Sequence, residues 1–306
     1  MGLLLLFLDG VGLGDDDPEV NPFAAADTPV LDELAGGAWA TPELHERSGR
    51  VLAALDATLG DPGLPQSATG QSALLSGRDA VAVMGGPYGP WPGPTLKRFL
   101  AEGELFAWAS ERFGADALGW GTAYPPGFFE ALKRERFRLN VPAWAARRAG
   151  VTLPDLDAYR RGEAIAADLD GAAFAGYGVE PPGGHRSGPE GAASAGRRLA
   201  RAAADRPLTF VDVWTTDRAG HRADPAEGRA LVERLDAFVG GLLEVRDAAT
   251  TLLTVSDHGN LEDLRHGRHT RAPVPLLCVG PDAEAFAGAS SLLDVAPAIV
   301  RTWTSA

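Results

Sequence analysis

The sequence predicts an α/β fold: a three-layer sandwich with a mostly parallel central sheet and a small helical insert. Two observations carry this. Short, continuously apolar runs stop at polar loops, and stretches of helical length separate the later runs. Residues 3–8 (LLLLFL) end at Asp9-Gly10, as a strand buried on both faces does where it meets a loop. Residues 208–214 (LTFVDVW) end at Thr215-Thr216-Asp217, and residues 251–255 (TLLTV) end at Ser256-Asp257-His258-Gly259. A fourth run, 274–279, follows His269. Residues 190–204 and 226–246 read as helices, and strands alternating with helices predict a sheet covered on both sides.

The middle of the chain is less regular. Residues 84–94 (MGGPYGPWPGP) hold too many Gly and Pro for a helix or a central strand and read as a long ordered loop or lid. Residues 99–113 read as one helix and 117–123 as a strand. Arg- and Ala-rich segments follow Pro125-Pro126 and run to residue 175, and Pro181-Pro182-Gly183-Gly184 reads as a linker. The expected division is a core formed by 1–125 and 186–306, interrupted by a small insert or cap at 126–185.

Composition narrows the function. With 306 residues, 45% of them apolar and 23% charged, the chain can bury a large core. A net charge of −13, with Lys only at Lys97 and Lys133 and no basic stripe standing out, argues against nucleic acid and anionic membrane as partners. The single cysteine, Cys278, excludes an intramolecular disulfide framework and a Cys-based zinc cluster. The apolar run at 3–8 is too short for a membrane span or a signal peptide, so a cytoplasmic location is expected.

The chemistry lies at the strand ends. Open α/β sheets build sites at the carboxyl ends of their strands. Asp9, Asp217, Asp257 and His258 all fall there, with His221 four residues after Asp217 and His269 eleven after His258. An Asp that ends a strand also serves as a helix N-cap, and a single His is often a surface residue. Their joint delivery to one sheet edge points elsewhere. Carboxylates gathered without partners raise one another's pKa, and bound cations relieve this. Mixed carboxylate and imidazole donors suit Zn²⁺ or Mn²⁺, with Mg²⁺ possible, and the count suffices for two ions. In PQSATGQS (65–72), the hydroxyl of Thr69 before Gly70 reads either as an N-cap or as a nucleophile at a helix N-terminus.

These residues carry a resemblance. LDGVGLG (8–14), NPFAAADTPVLDEL (21–34), TTDRAGH (215–221), SDHGNLED (256–263) and HTRAPVP (269–275) stand in order along the chain. Together they resemble the alkaline phosphatase superfamily of two-metal enzymes, and within it the branch of cofactor-independent phosphoglycerate mutase and phosphopentomutase. The resemblance implies an alkaline phosphatase-like fold. It implies one metal held by Asp9, Thr69, Asp257 and His258, and a second held by Asp217, His221 and His269. It also makes Thr69 the phosphorylated nucleophile. Two divalent ions would balance three carboxylates and a Thr69 alkoxide, leaving a site open to an anionic substrate.

The chain departs from those mutases in two places. SATGQS replaces their Asn- or Ser-bearing nucleophile motif, and 147 residues (70–216) separate Thr69 from Asp217, fewer than in full-length mutases. Because their substrate recognition comes largely from the larger insert, the resemblance supports metals and nucleophile more than a particular substrate. The expected activity is a two-metal phosphate-ester hydrolase acting on a small phosphorylated substrate through phosphothreonine. A phosphomutase or a phosphodiesterase is the alternative, and a catalytically silent metal-binding protein is the alternative outside enzymes. His45, His185 and His266 are not assigned to the site: His45 reads as a surface residue, His185 as part of a Gly-rich linker that could face the site, and His266 could orient His269. Arg268 and Arg271 are candidates for phosphate contacts, and Gln71 and Asn21 for the pocket.

Overall fold

The computed structural model describes residues 2–39, 45–47, 49–125, 127–134 and 136–304, with 45–47 and 304 described by backbone alone. Seven strands form one sheet: β1 (Gly2–Leu8), β2 (His45–Arg47), β3 (Arg50–Leu55), β4 (Gly119–Trp120), β5 (Leu208–Val213), β6 (Thr250–Ser256) and β7 (Val274–Val279). Their order is β2-β3-β7-β6-β1-β5-β4. β1 pairs in parallel with β5 and β6, and β4 with β5, whereas β7 runs antiparallel to both β6 and β3. Five strands, β1, β3, β4, β5 and β6, therefore point the same way in a mixed sheet.

β1 shows why its sequence is apolar throughout. Leu3, Leu5 and Phe7 enter one hydrophobic cluster, and Leu4, Leu6 and Leu8 enter the other. Side chains alternate across a strand, so a strand covered on both faces needs an apolar residue at every position. The first face is covered by helices that include Ser67–Ser76, Leu105–Phe113, Val141–Arg148 and Val295–Thr304. The second is covered chiefly by Gly188–Ala203 and Pro225–Val245. Those two helices meet almost backbone to backbone. A Cβ on Gly196 would sit 2.2 Å from the Phe238 carbonyl oxygen, so only glycine permits the approach.

Several expectations are refined. The single helix at 99–113 is two helices, Pro94–Ala101 and Leu105–Phe113, because Gly103 takes φ 152° and Glu104 caps a new start. The strand at 117–123 shrinks to β4 plus a bridge between Thr122 and Ile165. Residues 126–185 contain the helices Phe128–Lys133, Val141–Arg148, Leu156–Arg161 and Ala172–Ala175. Val141, Ala145 and Leu153 pack into the first cluster, and Ile165 and Leu169 into the second. These residues share the sheet's core, while Tyr159, Ala164, Ala166, Phe174 and Val179 form a third cluster with Ala123. No helix among the described residues is long and apolar enough to cross a membrane.

Candidate metal centre

One edge of the sheet gathers the acidic and imidazole side chains. Asp9 follows β1 directly, and Asp257 and His258 follow β6. β5 leads into the helix Thr215–Arg222, whose first turn carries Asp217 and whose second carries His221 on the same face. His269 precedes β7. Because β7 is antiparallel to β6, its start lies at the edge where the other strands end, and this brings His269 into the site.

The donor atoms converge. Those of Asp217, His221 and His269 lie within 4.8 Å of one another, as do those of Asp9, Asp217 and His258. Asp217 Oδ2 is 3.3 Å from His221 Nε2, and Asp217 Oδ1 is 3.6 Å from His269 Nε2. Asp9 Oδ1 is 3.4 Å and Asp257 Oδ2 is 3.6 Å from His258 Nε2. The His258 and His269 rings stack with centroids 3.9 Å apart, so the two groups share a wall.

Each imidazole is oriented from behind. His221 Nδ1 faces the Gly267 carbonyl at 2.9 Å, and His269 Nδ1 faces the Pro65 carbonyl at 2.8 Å. A carbonyl only accepts, so each Nδ1 carries hydrogen and each Nε2 is the atom that would face a cation, His221 giving up its own Nε2 proton to do so. Those two Nε2 atoms meet at 3.3 Å, a contact suited to a shared cation.

The electrostatics agree. Burial and the Asp257 charge hold the Asp9 carboxyl well above the usual range, and burial likewise raises Asp257. Burial alone would lower His258, but Asp257 and Asp9 outweigh it and push the imidazole up to about 10. The hydrogen bond that its imidazole donates to Asp217 raises His221 to about 9. Burial works against the Asp217 charge, yet the His221 hydrogen bond, His258 and Asn260 bring it down to about 2. His269 falls to about 4 through burial and the neighbouring His258. The carboxylates thus demand positive charge that the imidazoles supply only in part. Asp9 Oδ1 is buried and has no hydrogen-bond partner. Oxygen and unprotonated imidazole donors around such an atom fit divalent cations.

The hydroxyl at the site is not the expected one. Thr69 is fully buried and faces away. Its Oγ1 lies 3.1 Å from the Gln66 carbonyl and 3.3 Å from the Tyr88 carbonyl, and accepts from Tyr88 N at 3.1 Å. Ser67, the first residue of the helix Ser67–Ser76, places its Oγ 3.0 Å from His258 Nε2. Helical geometry gives the reason. Residues two apart point about 200° apart, whereas residues four apart share a face. Gln71 shares the face of Ser67, and its amide donates to Asp257 Oδ2 at 2.9 Å and Asp9 Oδ2 at 3.4 Å. The hydroxyl beside Asp9, Asp257 and His258 is therefore that of Ser67.

Other residues missing from the sequence reading support the centre. Glu262 is buried, and its Oε2 accepts from Gly12 N and Asn260 N, both at 2.8 Å, while Oε1 takes the Thr270 hydroxyl. One carboxylate thus joins the loops bearing Asp9, Asp257–His258 and His269. Asn260 Nδ2 reaches Asp217 Oδ1 at 2.6 Å. Asp212, buried in β5, accepts from Asn140 Nδ2 at 2.8 Å and is raised to about 7 by burial. Glu262 and Asn260 lie within SDHGNLED, but no spacing rule assigns them this task.

The remaining candidates sort differently. Arg271 donates to the Asp61 and Gly63 carbonyls, so it braces a loop, and Arg268 is exposed beside His269. Asn21 caps the helix Pro22–Ala25 through Phe23 N, a structural task. His266 Nε2 lies 3.9 Å from Asp263, and His185 Nδ1 is buried without a hydrogen-bond partner. The His45 side chain lies outside the described residues. In the expected lid at 84–94, Tyr88 fixes the loop to the Thr69 backbone.

Comparison with known proteins follows the same lines. Residues 189–304 match a family model described as Metalloenzyme superfamily, a stretch that holds Asp217, His221, Asp257, His258 and His269. The 2,3-bisphosphoglycerate-independent phosphoglycerate mutase of Cereibacter sphaeroides (strain ATCC 17025) is 34% identical over 102 residues, covering 31% of this chain and 20% of the mutase. The mutase of the same name from Vibrio vulnificus is 35% identical over 92 residues, covering 28% of this chain and 18% of its own. The matches span about a fifth of the length of these curated relatives. Alkaline phosphatase from the Antarctic bacterium TAB5 shares the fold, with a TM-score of 0.56 at 12% identity over 99% of this chain and 98% of its own. A cold-active alkaline phosphatase from Shewanella sp. has the same TM-score and identity, over 99% and 100%. Residues 189–304 thus resemble the Metalloenzyme superfamily, and the whole chain shares the alkaline phosphatase fold.

Proposed function

We propose that this protein hydrolyses phosphate esters of small molecules with two divalent cations, and that Ser67 is transiently phosphorylated. The observation that carries the reading is the Ser67 hydroxyl, 3.0 Å from His258 Nε2 at the edge of both donor groups. Asp217, His221 and His269 would hold one cation and Asp9, Ser67, Asp257 and His258 the other, with Asp217 within reach of both. Mn²⁺ or Zn²⁺ suits these donors best, with Mg²⁺ possible. When bound, such ions supply Lewis acidity and charge neutralisation at phosphorus.

The chain's own groups set the rest. The N-terminus of the helix Ser67–Ser76 favours an anion beside Ser67. Ser67 Oγ attacks phosphorus, the bond to the leaving oxygen breaks, and that oxygen departs as an alcohol after taking a proton. Water then attacks the phosphoserine, releasing phosphate and restoring the hydroxyl. Gln71 bridges Asp9 and Asp257 through its amide nitrogen and so fixes both carboxylates.

Hydrolysis is preferred over mutase chemistry. A mutase must retain the freed intermediate until the phosphoryl group returns. Here Val141, Ala145, Leu153, Ile165 and Leu169 of 126–185 pack into the sheet's two clusters, which favours an open site. The mutase relatives keep isomerisation as the second reading. A panel of phosphomonoesters, diesters and sugar phosphates, with and without Mn²⁺, separates the two. Release of inorganic phosphate supports hydrolysis, an isomerised ester without release supports the mutase, and inactivity toward every ester with full metal loading contradicts both.

A further inference from the structure

Two segments reach the rim beside Ser67, and each is tied to its helix. The loop 85–93 is fixed at Tyr88, whose backbone N and O bond the Thr69 hydroxyl and N–H. Its next residue, Gly89, lies so near that a Cβ there would be 3.4 Å from Ser67 N. The second segment, 136–140, ends where Val141 N meets Gln71 Oε1 at 3.3 Å. Trp91 of the loop and Phe137 of the segment touch edge to face, with ring centroids 6.2 Å apart, and Phe128 backs Phe137 at 5.1 Å.

This rim is unusual in two ways. Phe137 is 44% exposed and Tyr88 39%, so apolar rings stand open beside a site built for anions. The segment 130–138 carries four cations against Glu130 and Glu135, a formal +2 in a chain of −13. Lys133, Arg134, Arg136 and Arg138 are all exposed, and only Lys133 has a carboxylate partner, Glu130, among the described residues. The chain-wide balance conceals this local run. Aromatic faces interleaved with guanidinium groups suit a planar base attached to phosphate, because rings stack and cations pair with oxygen.

We infer that the rim formed by Trp91, Phe137, Arg136 and Arg138 selects a nucleotide as the phosphate ester. The inference rests on the proposed phosphate-ester chemistry. The base stacks on the open face of Phe137, which Trp91 props, while the arginines meet phosphate oxygens beyond the one attacked. A small polyol phosphate gains neither contact.

The test compares kcat/KM of the Mn²⁺-loaded protein for AMP, ADP and glycerol 3-phosphate. AMP and ADP should exceed glycerol 3-phosphate by tenfold or more. Trp91→Ala with Phe137→Ala should lower the AMP-to-glycerol-phosphate ratio about tenfold, and Arg136→Ala with Arg138→Ala should act more on ADP than on AMP. Equal kcat/KM for all three, or variants that leave the ratios unchanged, overturns the inference. Equilibrium dialysis of labelled AMP separates this from failure of the underlying chemistry. If no ester turns over, the hydrolase reading fails, and AMP binding weakened tenfold by Trp91→Ala with Phe137→Ala still supports the rim. Binding indifferent to those substitutions overturns it.

Discussion

The Ser67 hydroxyl lies 3.0 Å from Nε2 of His258, while Thr69, two residues on, is sealed against the Tyr88 backbone. The two hydroxyls therefore have opposite expected phenotypes. Ser67→Ala should lower kcat at least a thousandfold, about 4 kcal/mol of transition-state stabilisation, without unfolding the protein. Thr69→Ala should cost about 1–2 kcal/mol of stability through lost buried hydrogen bonds and keep activity within about tenfold. Steady-state kinetics and thermal melts of both variants measure the contrast.

The candidate metal ligands are legible because strand ends are legible. Asp9, Asp257 and His258 follow apolar runs, and the four-residue spacing from Asp217 to His221 is one helical turn. His269 was found by motif, but its route into the site was not, since the antiparallel course of β7 depends on pairing with β6 and β3. Which hydroxyl faces the donor groups is not legible in the sequence, because helical phase decides it. Without knowing that the helix starts at Ser67, nothing distinguishes residue 67 from residue 69. Glu262 was invisible for a different reason: its partners Gly12 and Thr270 are brought together only by the folded loops.

Asp217 belongs to both donor groups, whereas His221 belongs to one. Elemental analysis of Mn²⁺-loaded protein should give about two ions per chain in the wild type. His221→Ala should fall to about one, and Asp217→Ala lower still. Equal losses for the two variants contradict the shared carboxylate.

Glu262 joins the loops that carry the candidate donors. Glu262→Ala should weaken metal binding about 10- to 100-fold, the range for residues that orient ligands. Glu262→Gln keeps one acceptor oxygen and should restore part of the affinity. Chelator competition reads the affinities directly, and an Ala variant with wild-type affinity for both ions removes the assigned role.

Glu104 offers a pH test away from the metals. It caps the helix Leu105–Phe113 by accepting from Phe106 N and Ala107 N, which favours its charge, yet burial dominates and raises it from 4.5 to about 7. The folded state thus holds a proton that the unfolded chain releases. This contribution is full below pH 4.5 and is lost as pH rises toward 7, by at most ~3 kcal/mol. Glu104→Gln keeps an acceptor for the cap and cannot ionise. Melts between pH 5 and 8 should show a shallower decline for the variant than for the wild type.

The phosphorylated residue tests the central claim most directly. Metal-loaded protein is mixed with a ³²P-labelled phosphate ester that it turns over, quenched in acid within one turnover, and its labelled peptide is sequenced. Label on Ser67, absent from Ser67→Ala and retained in Thr69→Ala, is the expected result. Label on Thr69, or wild-type turnover by Ser67→Ala, contradicts the account.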